Sequence, residues 1–298
     1  MVSGDLPAVA RRRLRLALRG GRDARGLTQG EVAEALDWSL SKVQRIESGE
    51  VTVSGTDLRA LLEMLEVNDP ATVAELVQDA RTARRRVAGW WDTPRYRSQL
   101  TPALMQLIQF ESQATTIRAF SPALIPGVLQ TPRHAEAVLN FWAGELGVIT
   151  DDQRAARLEV RLRRREHIFD RAERPTYLLT IDESVLSRIA GGREVAIEQL
   201  QHLMRHVADG TIVLRIIPLS LAGMILTLGS FSVLELGSEK DAVLYRESWA
   251  KDEILHESDE VSRHRRILDT IERRSYSAER SSRLLAARIA ALLAEFDN

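Results

Sequence analysis

Between Ser39 and Glu47 the sequence sets Leu40, Ser41, Lys42, Gln44 and Arg45 around a stretch whose apolar members are Val43 and Ile46. In a helix the apolar pair turns inward and the other five turn outward. Those outward side chains have a shared chemistry. Arginine grips guanine through two hydrogen bonds, glutamine grips adenine, serine serves either, and an apolar side chain touches the thymine methyl. Lysine is a point charge suited to phosphate, and the amides that open a helix also suit phosphate. The pattern therefore reads as a DNA-contacting segment. Leu40, Ser41, Gln44 and Arg45 are assigned to base edges, and Gln29, Ser39 and Lys42 to phosphates.

Such side chains need two helices to hold them. Thr28 followed by Glu31 is a capping box, so a helix should start at Gln29. Val32, Ala33 and Leu36 share one of its faces, and Ala33 is small enough for a second helix to cross closely above it. Leu36-Asp37-Trp38-Ser39 breaks the period. Ser39 can cap the second helix, and Gly49 can take the left-handed conformation that ends it. An ordinary helical hairpin is the plainer alternative. The combination of capping box, small residue, turn, second cap and polar outer face favours the DNA reading.

Leu27 to Glu50 resembles the Cro/CI-type (XRE) helix-turn-helix, whose usual run is "LTQ-E-LA-L-S-S-I-RIE-G". The resemblance implies an ion pair between an arginine of the preceding helix and the glutamate of "RIE", here Arg22 and Glu47, fixing helix packing. The family usually has glycine where this chain has Asp37, and aspartate tolerates the left-handed region better than most residues. Leu40 stands where many members carry a polar base reader.

The 298 residues suffice for two domains. Zero cysteines exclude disulfides and thiolate metal sites. No run reaches the roughly 20 apolar residues of a membrane span, and Met1 to Asp5 lacks a signal-peptide pattern, so a cytoplasmic location is expected. Net charge is −1, yet Arg11, Arg12, Arg13, Arg15, Arg19, Arg22 and Arg25 crowd the segment before the reading residues. They are candidates for steering DNA, and solvated faces balanced by nearby carboxylates are expected for about half of them.

Residues 8–25 read as a first helix. Ser54 with Asp57 caps a fourth that carries Leu58, Leu61, Leu62 and Leu65 inward, and Asn68-Asp69-Pro70 starts a fifth. The expected architecture is an all-α, five-helix, lambda-repressor-like helix-turn-helix domain over residues 1–80. A linker over 81–100 follows, and then an α+β regulatory or partner-binding domain over 101–298, with a small mixed sheet covered by helices. Trp90 and Trp91 in the linker are expected to pack one domain onto the next. Strands are expected at 116–120, 177–181, 212–217, 231–236 and 242–246, and 151–171 reads as a charged helix. Leu285, Ile289, Leu292, Leu293 and Phe296 form an apolar face on a last helix.

The second half contains no G-x-S-x-G elbow, P-loop or H-E-x-x-H. Glu198, His202 and His206, one turn apart, could ligate a metal but read better as a solvated face, and His264 beside Glu257 and Glu260 reads the same way. Asp182, Glu183 and Glu247 follow or end strands. A helix cap at Asp182 and ion pairs to Arg118, Arg161, Arg164 or Arg165 explain them better than acid–base chemistry. No enzyme activity, cofactor or metal is expected.

This half resembles the large C-terminal domain, of unknown function, of actinobacterial antitoxin-like regulators. The resemblance rests on Ile125-Pro126-Gly127-Val128-Leu129-Gln130-Thr131 above all. Phe110-Glu111, Arg161 with Arg164-Arg165, Asp182-Glu183, Gly191-Gly192, Gln199-Leu200, Ile217-Pro218 and Val243 to Glu247 support it. It implies transcriptional control and, often, a short partner protein encoded by a neighbouring gene. The expected function is a sequence-specific regulator bound to double-stranded DNA as a homodimer, with no membrane contact. An interaction protein that mainly binds the small neighbour, or a ligand sensor, is the alternative.

Overall fold

The computed structural model describes residues 7–49, 51–85, 89–221, 227–237, 242–248 and 251–294. Phe296, Arg86, Glu50 and Met1 to Asp5 lie outside them. The chain forms two units, Met1–Gly89 and Trp90–Asn298.

The first unit holds five helices: α1 (Pro7–Ala24), α2 (Gln29–Ala35), α3 (Leu40–Ser48), α4 (Gly55–Met64) and α5 (Pro70–Ala83). The starts of α2 to α5 follow from their caps. Thr28 and Glu31 close the capping box on α2, Ser39 accepts from the Lys42 amide, Ser54 from Asp57 and Asp69 from Thr72. Leu14, Leu18, Val43, Ile46, Leu58 and Leu76 meet in one core. Across the α1–α5 seam, Arg13 Nη2 donates to Asp79 Oδ1 at 2.6 Å.

The expected linker 81–100 is not one. Residues 81–83 continue α5, and Pro94–Gln99 form a short helix, α6, started by Thr93 and a proline at its head. Trp90 and Trp91 meet edge to face and both approach His167, with ring centroids 6.3 and 5.6 Å away. They are part of the second unit's own packing.

In the second unit, α7 (Pro102–Gln113) leads into β1 (Thr116–Ser121). Next come α8 (Pro132–Asn140), α9 (Asp151–Phe169), β2 (Thr176–Asp182), α10 (Arg193–Ala208) and β3 (Ile212–Ile217). β4 (Ser230–Glu235), β5 (Ala242–Glu247), β6 (Glu253–Leu255), α11 (Ser258–Arg274) and α12 (Ala278–Ala294) follow. The sheet order is β3-β2-β1-β4-β5-β6. β1, β2 and β3 run parallel, joined by the helical crossovers that parallel pairing requires. β4, β5 and β6 alternate antiparallel. The sheet is mixed and covered by helices, with one strand, β6, more than the sequence signalled.

Alternation divides the sheet faces. Phe120, Phe231, Val233 and Leu244 pack with Val261, Leu268 and Ile271 of α11. The opposite face takes Ala119, Leu179 and Tyr245, which alternate with that set. On α12, Leu285 and Leu292 are buried but Leu293 is exposed, so the apolar face is narrower than expected.

Candidate nucleic-acid interface

The interface is built from the α2–α3 corner. Leu36 and Asp37 close α2 by donating to Val32 O and Glu34 O, and Trp38 N bonds Ala33 O at 2.8 Å. Asp37 sits at φ 53° and Gly49 at φ 76°, the two left-handed positions that turn the chain into and out of α3. Val43 and Ile46 are buried.

A clamp behind the corner fixes its angle. Arg22 Nε donates to Glu47 Oε1 at 2.6 Å, Nη2 to Oε2 at 3.1 Å, and Nη1 to the Leu27 carbonyl at 2.7 Å. Donating to the Glu47 carboxylate holds the Arg22 guanidinium protonated beyond its ordinary range. Arg15 Nη1 adds a bond to Ser48 O at 2.9 Å, and its stem lies 3.4 Å from where a Cβ on Gly49 would stand. Charge-assisted, two-pronged bonds of this kind fix geometry as well as adding energy.

The assigned contact residues divide into three groups. Leu40, Ser41, Gln44 and Arg45 are exposed on α3. Among the described residues no side-chain hydrogen bond or ion pair engages Gln44 or Arg45. Ser39 is committed to the cap. Gln29 and Lys42 are already occupied: Gln29 Nε2 donates to Glu47 Oε2 at 2.8 Å, and Lys42 Nζ donates to Asp57 Oδ1 at 2.8 Å while lying 3.6 Å above the Trp38 ring centre. Burial alone would raise the Asp57 carboxyl. Hydrogen bonds from Lys42 and Ser54 outweigh it and hold it below the usual carboxylate range. Asp57 was legible only as a cap, because nothing in sequence says which lysine a first-turn carboxylate will meet.

The arginine crowd on α1 is largely spent inside the unit. Arg11 bonds Ala83 O, Arg13 bonds Asp79, Arg15 bonds Ser48 O, Arg22 bonds Glu47 and Arg25 pairs with Glu66. These arginines fasten helices together before they can steer DNA.

In the second unit, Asp182 accepts from Ser184 N at 2.9 Å, capping the short turn Glu183–Ser187, and Glu183 accepts from Leu219 N. Two of the arginines assigned to these carboxylates go elsewhere: Arg164 to Glu111 at 2.6 and 2.9 Å, and Arg118 to Asp269 and Glu272. His202 and His206 are half-buried, their Nε2 atoms 3.2 Å apart, and Glu198 turns to Arg133. His264 Nδ1 meets Glu260 O at 2.8 Å.

The motif Ile125 to Thr131 is a structural knot. Gln130 Nε2 donates to Ile125 O at 2.8 Å while its Oε1 accepts from Arg161. Gln199, reaching from α10, donates to Leu129 O and accepts from Thr131 N at 2.8 and 2.7 Å.

Comparison with known proteins agrees with both halves. Residues 13–76 match the model of a helix-turn-helix domain, and residues 104–287, more than half of the chain, match that of a domain of unknown function, DUF5753. No curated protein and no solved structure matches. No helix among the described residues is long and apolar enough to cross a membrane. A cap-defined, clamped helix-turn-helix in front of a helix-covered mixed sheet makes this chain a DNA-binding regulator that belongs to the DUF5753 family.

Proposed function

We propose that the chain is a sequence-specific, cytoplasmic transcriptional regulator that reads the major groove with α3 as a homodimer. Its second unit supplies dimer contacts and a surface for a small partner protein, and carries no catalysis. One observation supports the reading above others: Gln44 and Arg45 stand exposed and uncommitted on a helix held in place by the Arg22–Glu47 clamp. Preformed, unpaired donors on a rigid helix suit base recognition. Gln29 and Lys42 reach phosphate only by exchanging Glu47 and Asp57 for it.

A single helix touches too few base pairs for genomic selectivity, which favours two copies on a two-fold-related site. The partner surface has its own support. Phe141, Leu146 and Val148 are each close to half exposed where a wide helical turn, Phe141–Glu145, closes α8. Sequencing genomic fragments selected by the purified protein tests the reading. A common site with two-fold symmetry supports it, and indifference to every fragment at low ionic strength, with native partners restored, overturns it.

A further inference from the structure

On the sheet face beneath α9 the apolar side chains of Ile117, Leu234 and Val243 give way to short polar ones toward one end. Register sets Glu247 opposite Ser230, Tyr245 opposite Ser232, and Ser232 opposite Ala119. Directly opposed residues share a face. β4 is an interior strand, paired with β1 on one side and β5 on the other, where close packing ordinarily excludes water. Ser232 is nonetheless partly accessible and Glu247 is exposed. The run of serine, alanine and serine leaves a cleft open to solvent where β1 and β5 end.

Arg157, Arg161 and Arg164 form an i, i+4, i+7 stripe on α9 over this cleft. Arg164 is neutralised by Glu111. Arg161 is not. Among the described residues its guanidinium has one hydrogen bond, Nη1 to the neutral Gln130 Oε1 at 2.9 Å, and no ion pair, and Arg157 has neither.

The loop before α8 is moulded to hold Arg161 there. A Cβ on Gly127 would lie 3.1 Å from Arg161 Nε and 3.3 Å from its Cγ and Cδ, so the backbone is in close contact with the stem. Burial draws the guanidinium down to about 10, against the opposing pull of Glu247. His134, 5% exposed, has no hydrogen-bond partner on either ring nitrogen among the described residues. Burial and the nearby Arg161 charge hold it at about 4. A fixed charge with no ion pair, balanced only at a distance by Glu247, beside an unsatisfied imidazole is costly for the empty protein, and a complementary anion removes that cost.

We propose that this cleft binds a small metabolite carrying a carboxylate or phosphate group, the anion received by Arg161 and Arg157 and an amine or hydroxyl at its other end by Glu247 and Ser232. The site concerns the second unit alone and does not rest on the reading of α3.

Thermal denaturation of the full chain tests it, titrated separately with inorganic phosphate and with acetate, each against sodium chloride at matched ionic strength. Excluded salts raise stability without saturating, whereas a site saturates. The expected result is a saturable rise in Tm with at least one anion, and the anion that gives it tells phosphate from carboxylate. Arg157→Gln, at a half-exposed position, should shift the midpoint about tenfold or more, as loss of a charge-assisted contact does. Arg161→Met should abolish saturation. Arg133→Gln, which breaks only a surface pair with Glu194 and Glu198, should leave the response unchanged. No response beyond chloride from either anion, or the same midpoint in Arg157→Gln as in the parent, overturns the proposal.

Discussion

Arg45 and Lys42 lie on the same helix and should fail differently. Arg45 is exposed with no partner among the described residues, so Arg45→Ala should cost about 1–3 kcal/mol on the preferred site and little on unrelated DNA. Lys42 is held by Asp57. Asp57→Asn should therefore release an ammonium for phosphate, strengthening binding to all sequences alike and steepening the salt slope by about one. Fluorescence anisotropy across a salt series measures both variants. If Asp57→Asn leaves the slope unchanged, Lys42 has no phosphate within reach. A third residue, His134, gives a pH dependence. Its folded pKa of about 4 lies below its ordinary 6.5, so the unfolded chain takes up the proton first as pH falls. Its neutral burial is fully tolerated above about 6.5, and stability drains away between there and about 4, at up to about 1.4 kcal/mol per pH unit. His134→Leu should lose less stability than the parent between pH 7 and pH 5 in urea denaturation.

Elements were legible where local chemistry defines them. Thr28, Ser39, Ser54 and Asp69 each cap the helix they announce, and Asp37 takes the left-handed turn in place of glycine. These signals need only neighbours within four residues. β6 was invisible because three residues with no alternation are specified by β5 alone. α9 misled for a different reason. It reads as a charged helix whose arginines pair with carboxylates at strand ends, yet Arg164 is turned inward and satisfied by Glu111, while Arg171, just beyond the helix end, bonds the carbonyls of Glu111, Ser112 and Ala114. Hydrophobic periodicity cannot distinguish a charge facing water from one facing a partner distant in sequence. The knot at Ile125 to Thr131 shows the same long-range dependence. Gln199 is 1% exposed and satisfies two backbone groups some seventy residues away. Gln199→Ala should strand both and cost about 2–6 kcal/mol, since each buried unpaired group is worth about 1–3. Chemical denaturation followed at the buried Trp91 would show it, and a loss below half a kilocalorie per mole would mean that water replaces the amide.

The whole molecule divides at Gly89 and Trp90, beyond the end of α5, because the helix cap and the tryptophans belong to separate cores. Leu14, Ile46, Leu58 and Leu76 belong to a core drawn from the first unit. One reading helix neutralises few phosphates and meets few bases, which gives weak, salt-sensitive, poorly selective binding. In the proposed homodimer, selectivity comes from joining two heads, and the sheet-containing unit is the larger surface available for that. The full chain should sediment as a dimer and protect a two-fold site whose half-sites are centred about 34–36 Å apart, or a multiple of that, as two recognition helices on one side of the duplex require. Residues 1–89 should sediment as a monomer, bind the same half-site far more weakly, and lose the dependence on half-site spacing. Sedimentation and footprinting on operators with altered spacers separate these outcomes. A tight dimer from the isolated head would move the interface into the first unit and leave the second with ligand or partner binding alone.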